Sequence, residues 1–192
     1  EWLSWFDAHQ VEGVGFGFIT LRRTGSSAGP TVLCEDLRQA LADPLGPETA
    51  GWLDRVDWLR TRAGDEALLD ARLAVAPNVV LERTARPGES GWEELVAAVR
   101  RLDGPGWRHE VDELAAALLA GCQGMLPLGE LLALLAFSQD RSVDELAAAS
   151  LPAVRELIRH GLLVPAEWAA VASGTDLAGS APSEPAAAGG HR

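Results

Sequence analysis

Between Asp112 and Pro165 the sequence alternates apolar runs at helical spacing with hard stops, and this pattern constrains the fold more than any other stretch. "DELAAALLAGCQG" predicts a helix stopped by glycine, and "PLGELLALLAFSQ" predicts a second one opened near proline. "SVDELAAASLPAVRELIRHG" starts with Ser142 and Glu145 at capping-box spacing, and Pro152 is expected to split it into a short helix and a longer one. The chain then returns to an extended form over "LLVP".

Several helices followed by a short strand predict a winged-helix-like unit over 112–168. Upstream, Trp2, Leu3, Trp5 and Phe6, followed by His9, predict a short helix ending near Gly13. Residues 14–21 suit a strand, "TGSSAGP" a turn and "TVLCEDL" a second strand, so 14–37 reads as an antiparallel hairpin. Pro47 suits the first turn of a helix carrying Trp52, Leu53, Val56 and Leu59. "DEALLDARLAV" predicts another helix, and "NVVLERTARPG" a strand. "WEELVAAVRRL" is helical by pattern but runs into the strong turn "DGPG". The tail after Trp168 has almost no bulky apolar residues and reads as disordered. The expected organisation is 1–42, 43–111, 112–168 and a tail over 169–192, with an α+β fold class.

Charge narrows the range of functions. The net charge is −12, and the acidic excess is spread along the chain. Arg155, Arg159 and His160 lie on the helix that would read DNA, but Glu156 shares it and Asp140, Asp144 and Glu145 precede it. Three arginines against eight acids over 112–168 set a field that repels phosphate, which argues against direct DNA binding. All 16 basic residues are arginine and tyrosine is absent, a bias that fits a GC-rich genome. The chain begins Glu-Trp-Leu and its only methionine is Met125, so it is expected to be a piece of a longer protein. No apolar run approaches the roughly 20 residues of a membrane span. Cys34 and Cys122 stand far apart without a CxxC, which predicts buried thiols in a reducing cytoplasm rather than a disulfide or zinc site.

Candidate chemistry is sparse. Glu12 and the glycines 13, 15 and 17 suggest a cofactor loop, but the acid directly precedes the first glycine and the strand-like "FITLRR" follows where a helix is needed. In a strand, Gly15 and Gly17 instead leave a bare strip for close packing, with Val14, Phe16 and Phe18 on the other face. His9, His109, His160 and His191 are isolated, with no HxH or HExxH spacing, and read as surface or cap positions. Glu35-Asp36 and Glu93-Glu94 read as solvated faces or helix starts. No catalytic, cofactor-binding or metal-binding residue is assigned from the sequence.

One resemblance adds to this reading. "WLSWFDAHQVEGVGFGFITLRR", a turn, then "TVLCEDL" resembles the end of the methyltransferase domain in HemK-like, "methyltransferase small domain" proteins of actinobacteria. Val11, Glu12, Val14, Gly15, Phe16, Gly17, Ile19, Thr20, Leu21 and Arg22 match the family phrase, with Gly13 and Phe18 departing from it. "LAGCQGMLPLGELLALLA" and "LPAVRELIRHGLLVP" are similar to the C-terminal extension of that family. The resemblance implies that 1–42 supplies the last helix and hairpin of a Rossmann-like sheet. It also implies that "LVAAVRRLDGPGWRHEV" is a β-hairpin across Asp103-Gly104, and this is preferred to the local helical pattern. S-adenosylmethionine is implied for the full-length enzyme, with a protein glutamine or nucleic-acid amine as acceptor. The cofactor loop and Asn-Pro-Pro-[FY] motif of such enzymes are absent here, so this chain is expected to be non-catalytic, to pack against its own methyltransferase core by completing the sheet, and to dock or orient the acceptor. The alternative is a non-enzymatic winged-helix interaction module.

Overall fold

The computed structural model describes residues 2–13, 15–23 and 29–169, in two compact units, Glu1–Cys34 and Glu35–Arg192. In the first unit, α1 (Trp2–Ala8) presents Trp2, Leu3 and Trp5 exposed. It is closed by Gln10 at φ 51° and by a bond from the Val11 N–H to the Phe6 carbonyl. The hairpin expected over 14–37 is not formed: 15–23 and 29–37 carry no strand pairing, while Val14 and 24–28 lie outside the described residues. A two-stranded ribbon alone is marginal in water, glycines weaken it further, and no third strand of the described residues pairs with it. Phe16, Phe18, Ile19 and Leu21 are left exposed.

The second unit is mixed α and β, with two three-stranded antiparallel sheets. Its elements are α2 (Leu45–Thr61), α3 (Asp65–Leu69), β1 (Arg72–Val75), β2 (Val79–Gly88), β3 (Gly91–Arg101), β4 (Arg108–Val111), α4 (Glu113–Gly121), β5 (Gln123–Pro127), α5 (Leu128–Ser138), α6 (Val143–Arg159) and β6 (Leu163–Pro165), followed by a helical turn over 166–169. No helix among the described residues is long and apolar enough to cross a membrane.

One sheet has the order β5-β1-β6. Helices α4, α5 and α6 close the core around it through Leu118, Leu119, Leu128, Leu132, Leu146, Val154 and Ile158, with Leu73 from β1 and Trp58 from α2. Asp112 caps α4, its carboxylate accepting from the Ala115 N–H at 2.7 Å, and Ser142 caps α6 over a longer 3.5 Å. Pro152 does not split the third helical run as expected, since α6 continues through it. Pro152 and Ala148, whose carbonyl loses its partner, are both exposed, so water can satisfy that oxygen.

The other sheet has the order β2-β3-β4 and carries the reversal of the local helical pattern: residues 91–101 are strand, and β3 turns through Asp103-Gly104 into β4. Cross-strand pairs explain why. Glu82 meets Arg100, Arg83 meets Glu94 and Arg86 meets Glu93, while Ala97, Ala98 and Val99 are buried. Thr84 pairs with Val96 and Ala85 with Glu94, which leaves Leu95 as a bulge. Beyond it, Gly91–Leu95 are exposed, because β4 pairs only with Ala97–Arg100.

Candidate functional site

The C-terminus of α6 gathers the buried polar chemistry of the second unit. Its last carbonyls need partners, and two arginines supply them. Arg55 Nε donates to the Arg159 carbonyl at 3.1 Å, and Arg101 Nη1 donates to the His160 carbonyl at 3.3 Å. Both guanidiniums are buried and share one carboxylate, Glu48, at 2.5 Å and 2.9 Å. Burial pulls the Arg55 pKa below its ordinary value, and the attraction of Glu48 opposes that shift. Gly161 ends the helix at φ +72° because a side chain there would be strained and would run into both guanidiniums. Gly104, at φ +57°, fits the β3–β4 turn against Glu48 in the same way.

The same helix end buries His160, which is 3% exposed. The Trp107 ring lies flat against it, with centroids 3.8 Å apart and 6° between planes, which fixes the imidazole plane. From β4, His109 brings Nε2 to 2.8 Å from Nδ1 of His160. On the far side, Nε2 of His160 faces Glu35 Oε1 at 3.6 Å and has no hydrogen-bond partner among the described residues. Burial first, then His109, Arg159 and Arg55, push the His160 pKa down to about 3. His109 is lowered as well, chiefly by burial, with Glu156 opposing and Arg159 adding to the shift. Both rings are therefore neutral at neutral pH, and one donates to the other. The Glu35 carboxylate favours the tautomer in which His160 carries its proton on Nε2 and accepts from His109 through Nδ1. One ligand atom each from His109, Glu156 and His160 lies within 4.8 Å of the others.

The sequence treats His109 and His160 as isolated, and the fold makes them neighbours across 51 positions. The readable signal was Glu156 and His160, four residues apart and hence on one helical face. His9 is an exposed cap, its Nδ1 2.8 Å from the Trp5 carbonyl, and His191 lies outside the described residues, as does the expected disordered tail from residue 170 on. Arg155 and Arg159 are engaged within the unit. Arg155 donates to the Arg62 and Ala63 carbonyls and pairs with Asp65, while Arg159 Nε lies 3.2 Å from Glu35. Cys122 is buried as expected, but Cys34 is exposed, because the strand meant to bury it is not formed. A side chain at Gly13, Gly15 or Gly17 would meet nothing within 4 Å, and the next helix among the described residues begins at Leu45.

No curated protein matches the sequence. The family described as "Domain of unknown function (DUF7782)" matches residues 50–165, a span that holds all the strands of the described residues, His109, Glu156 and His160, while Glu35 and Glu48 precede it. With more than half of its length inside that match, the chain belongs to this DUF7782 family.

Proposed function

We propose that this chain is the non-catalytic C-terminal portion of a cytoplasmic S-adenosylmethionine-dependent methyltransferase, serving to pack against the enzyme core and to dock the methyl acceptor. The observation that carries this reading is the state of residues 15–23. Phe16 is 98% exposed, Ile19 90% and Leu21 90%, in a run of strand-forming residues with no strand partner among the described residues. Such a segment suits a sheet completed by other residues, which is where the resemblance of "VGFGFITLRR" places it. The order α4-β5-α5-α6-β6 is compatible with a winged-helix-like unit in the role of acceptor docking.

The test lies in the gene. An Asp-x-Gly-x-Gly loop and an Asn-Pro-Pro-[FY] motif encoded upstream of Glu1 are the expected result, and an unrelated domain there overturns the reading. Isothermal titration of this chain with S-adenosylmethionine should show no binding. Micromolar affinity would contradict placing the cofactor site outside it.

A further inference from the structure

We propose that His109 Nε2, His160 Nδ1 and a carboxylate oxygen of Glu156 form a binding site for one divalent first-row transition metal of the zinc class. The site is independent of the methyltransferase reading and rests on three features of its geometry. The donor set is two imidazoles and one carboxylate, which suits zinc and its neighbours rather than calcium or magnesium. The two facing nitrogens are 2.8 Å apart as a hydrogen-bonded pair, and two ligands at the tetrahedral angle, each about 2.0–2.1 Å from zinc, stand about 3.4 Å apart, so the rings need to part by only about 0.6 Å to admit the ion. The carboxylate sits on the same helical face as His160, one turn before it, and is exposed. Further coordination positions therefore open on the Glu156 side, toward water or a small ligand.

The surroundings hold the ligands ready. Trp107 stacks on His160 and fixes its ring. Glu35 faces the opposite nitrogen, at 3.6 Å from Nε2, as a carboxylate behind a metal-bound histidine does. It keeps the His160 proton on Nε2, so that Nδ1 carries a lone pair, which accepts from His109 when no metal is bound. Binding requires the proton between the rings to move from Nε2 to Nδ1 of His109. Each imidazole then remains neutral, and each facing nitrogen offers a lone pair.

The experiment is titration of the full chain, freed of metal by chelator and dialysis, with Zn²⁺ by calorimetry and with Co²⁺ by visible absorption. One equivalent should bind. His109→Gln should abolish binding in the micromolar range, Glu156→Gln should weaken it at least tenfold, and Glu35→Gln should weaken it about 10- to 100-fold. Circular dichroism and thermal unfolding of the metal-free variants establish that each is folded, and the exposed Glu156 carries the test if His109→Gln is not. The double variant His9→Gln/His191→Gln should bind as the parent does. Failure of the parent chain to bind stoichiometrically overturns the proposal. So does binding that survives both His109→Gln and Glu156→Gln, or a Co²⁺–thiolate charge-transfer band that places the ion on cysteine.

Discussion

Glu48 Oε2 lies 2.9 Å from Arg101 Nη1, both side chains are about nine-tenths buried, and the other oxygen of Glu48 holds Arg55 at 2.5 Å. The Glu48 carboxylate thus bridges two guanidiniums that themselves satisfy the last carbonyls of α6, and Arg101 pairs with Asp103 as well, at 2.9 Å. Removing it takes the carboxylate from buried Arg55 and leaves Arg101 with Asp103 alone, and breaking a buried ion pair from one side costs about 3–5 kcal/mol. Glu48→Ala should lower the unfolding free energy measured by urea denaturation by about that amount. A loss under about 1 kcal/mol would mean that the network is far better hydrated than its burial indicates.

The glycine that ends α6 gives a second expectation with a built-in contrast. Gly161 has φ +72°, and a side chain there meets the Arg101 and Arg55 guanidiniums. Backbone strain alone accounts for about 1–2 kcal/mol, and displacing the arginines adds to it. Gly46, near the start of α2, has open space around it and no positive φ. Gly46→Ala should therefore stabilise the chain by up to about 1 kcal/mol, while Gly161→Ala destabilises it. Thermal unfolding of the two variants side by side should show shifts of opposite sign.

The two thiols should differ in reactivity and in their linkage to pH. Cys34 is exposed and Cys122 is in the core, so a thiol reagent near neutral pH should count one fast group per chain and reach the second only on unfolding. Burial raises the Cys122 pKa from 9.0 to about 11. Above pH 9 the unfolded chain gives up this proton first, so the native state holds more protons and loses stability as pH rises. The contribution is whole below pH 9 and gone above about pH 11, a difference of about 3 kcal/mol for two pKa units. Urea midpoints at pH 8 and pH 10.5 should show the decline, and Cys122→Ala should flatten it from a lower starting stability.

What could be read from the sequence divides along physical lines. Helices α4, α5 and α6 were legible from their apolar spacing, reinforced by side-chain caps at Asp112 and Ser142, and α6 buries Leu151, Val154 and Ile158 along one stripe. Strands β1 and β5 were not. "ARLAV" continues an apolar helical rhythm, and the "QGMLP" strand keeps Met125 largely exposed, so only their place in the sheet identifies them, β1 between β5 and β6. At residues 92–102 propensity and tertiary structure disagree, and the cross-strand partners Glu82, Arg83 and Arg86 decide for strand. The strand propensity of 15–21 went unrealised for the converse reason, the lack of a neighbouring strand. The histidine cluster depends on a contact between residues 51 positions apart, while Glu156 and His160 were within reach of a spacing argument.

Pro152 offers the last expectation, and it concerns a residue that the native helix tolerates rather than requires. It lies inside α6, where it offers no N–H to the Ala148 carbonyl and its ring crowds that turn. An interior proline costs about 3 kcal/mol relative to alanine. Part of that cost is recovered here, because the unfolded chain is stiffer with proline and because Ala148 and Pro152 both face solvent. Neighbouring Leu151 and Val154 are buried, so the packing of the stripe is set without help from the proline ring. Pro152→Ala should therefore raise stability by about 1–2 kcal/mol and increase helical circular dichroism slightly. If it lowers stability instead, the proline shapes a bend that the core around Leu151 depends on, and α6 is fitted to its partners by that bend rather than in spite of it.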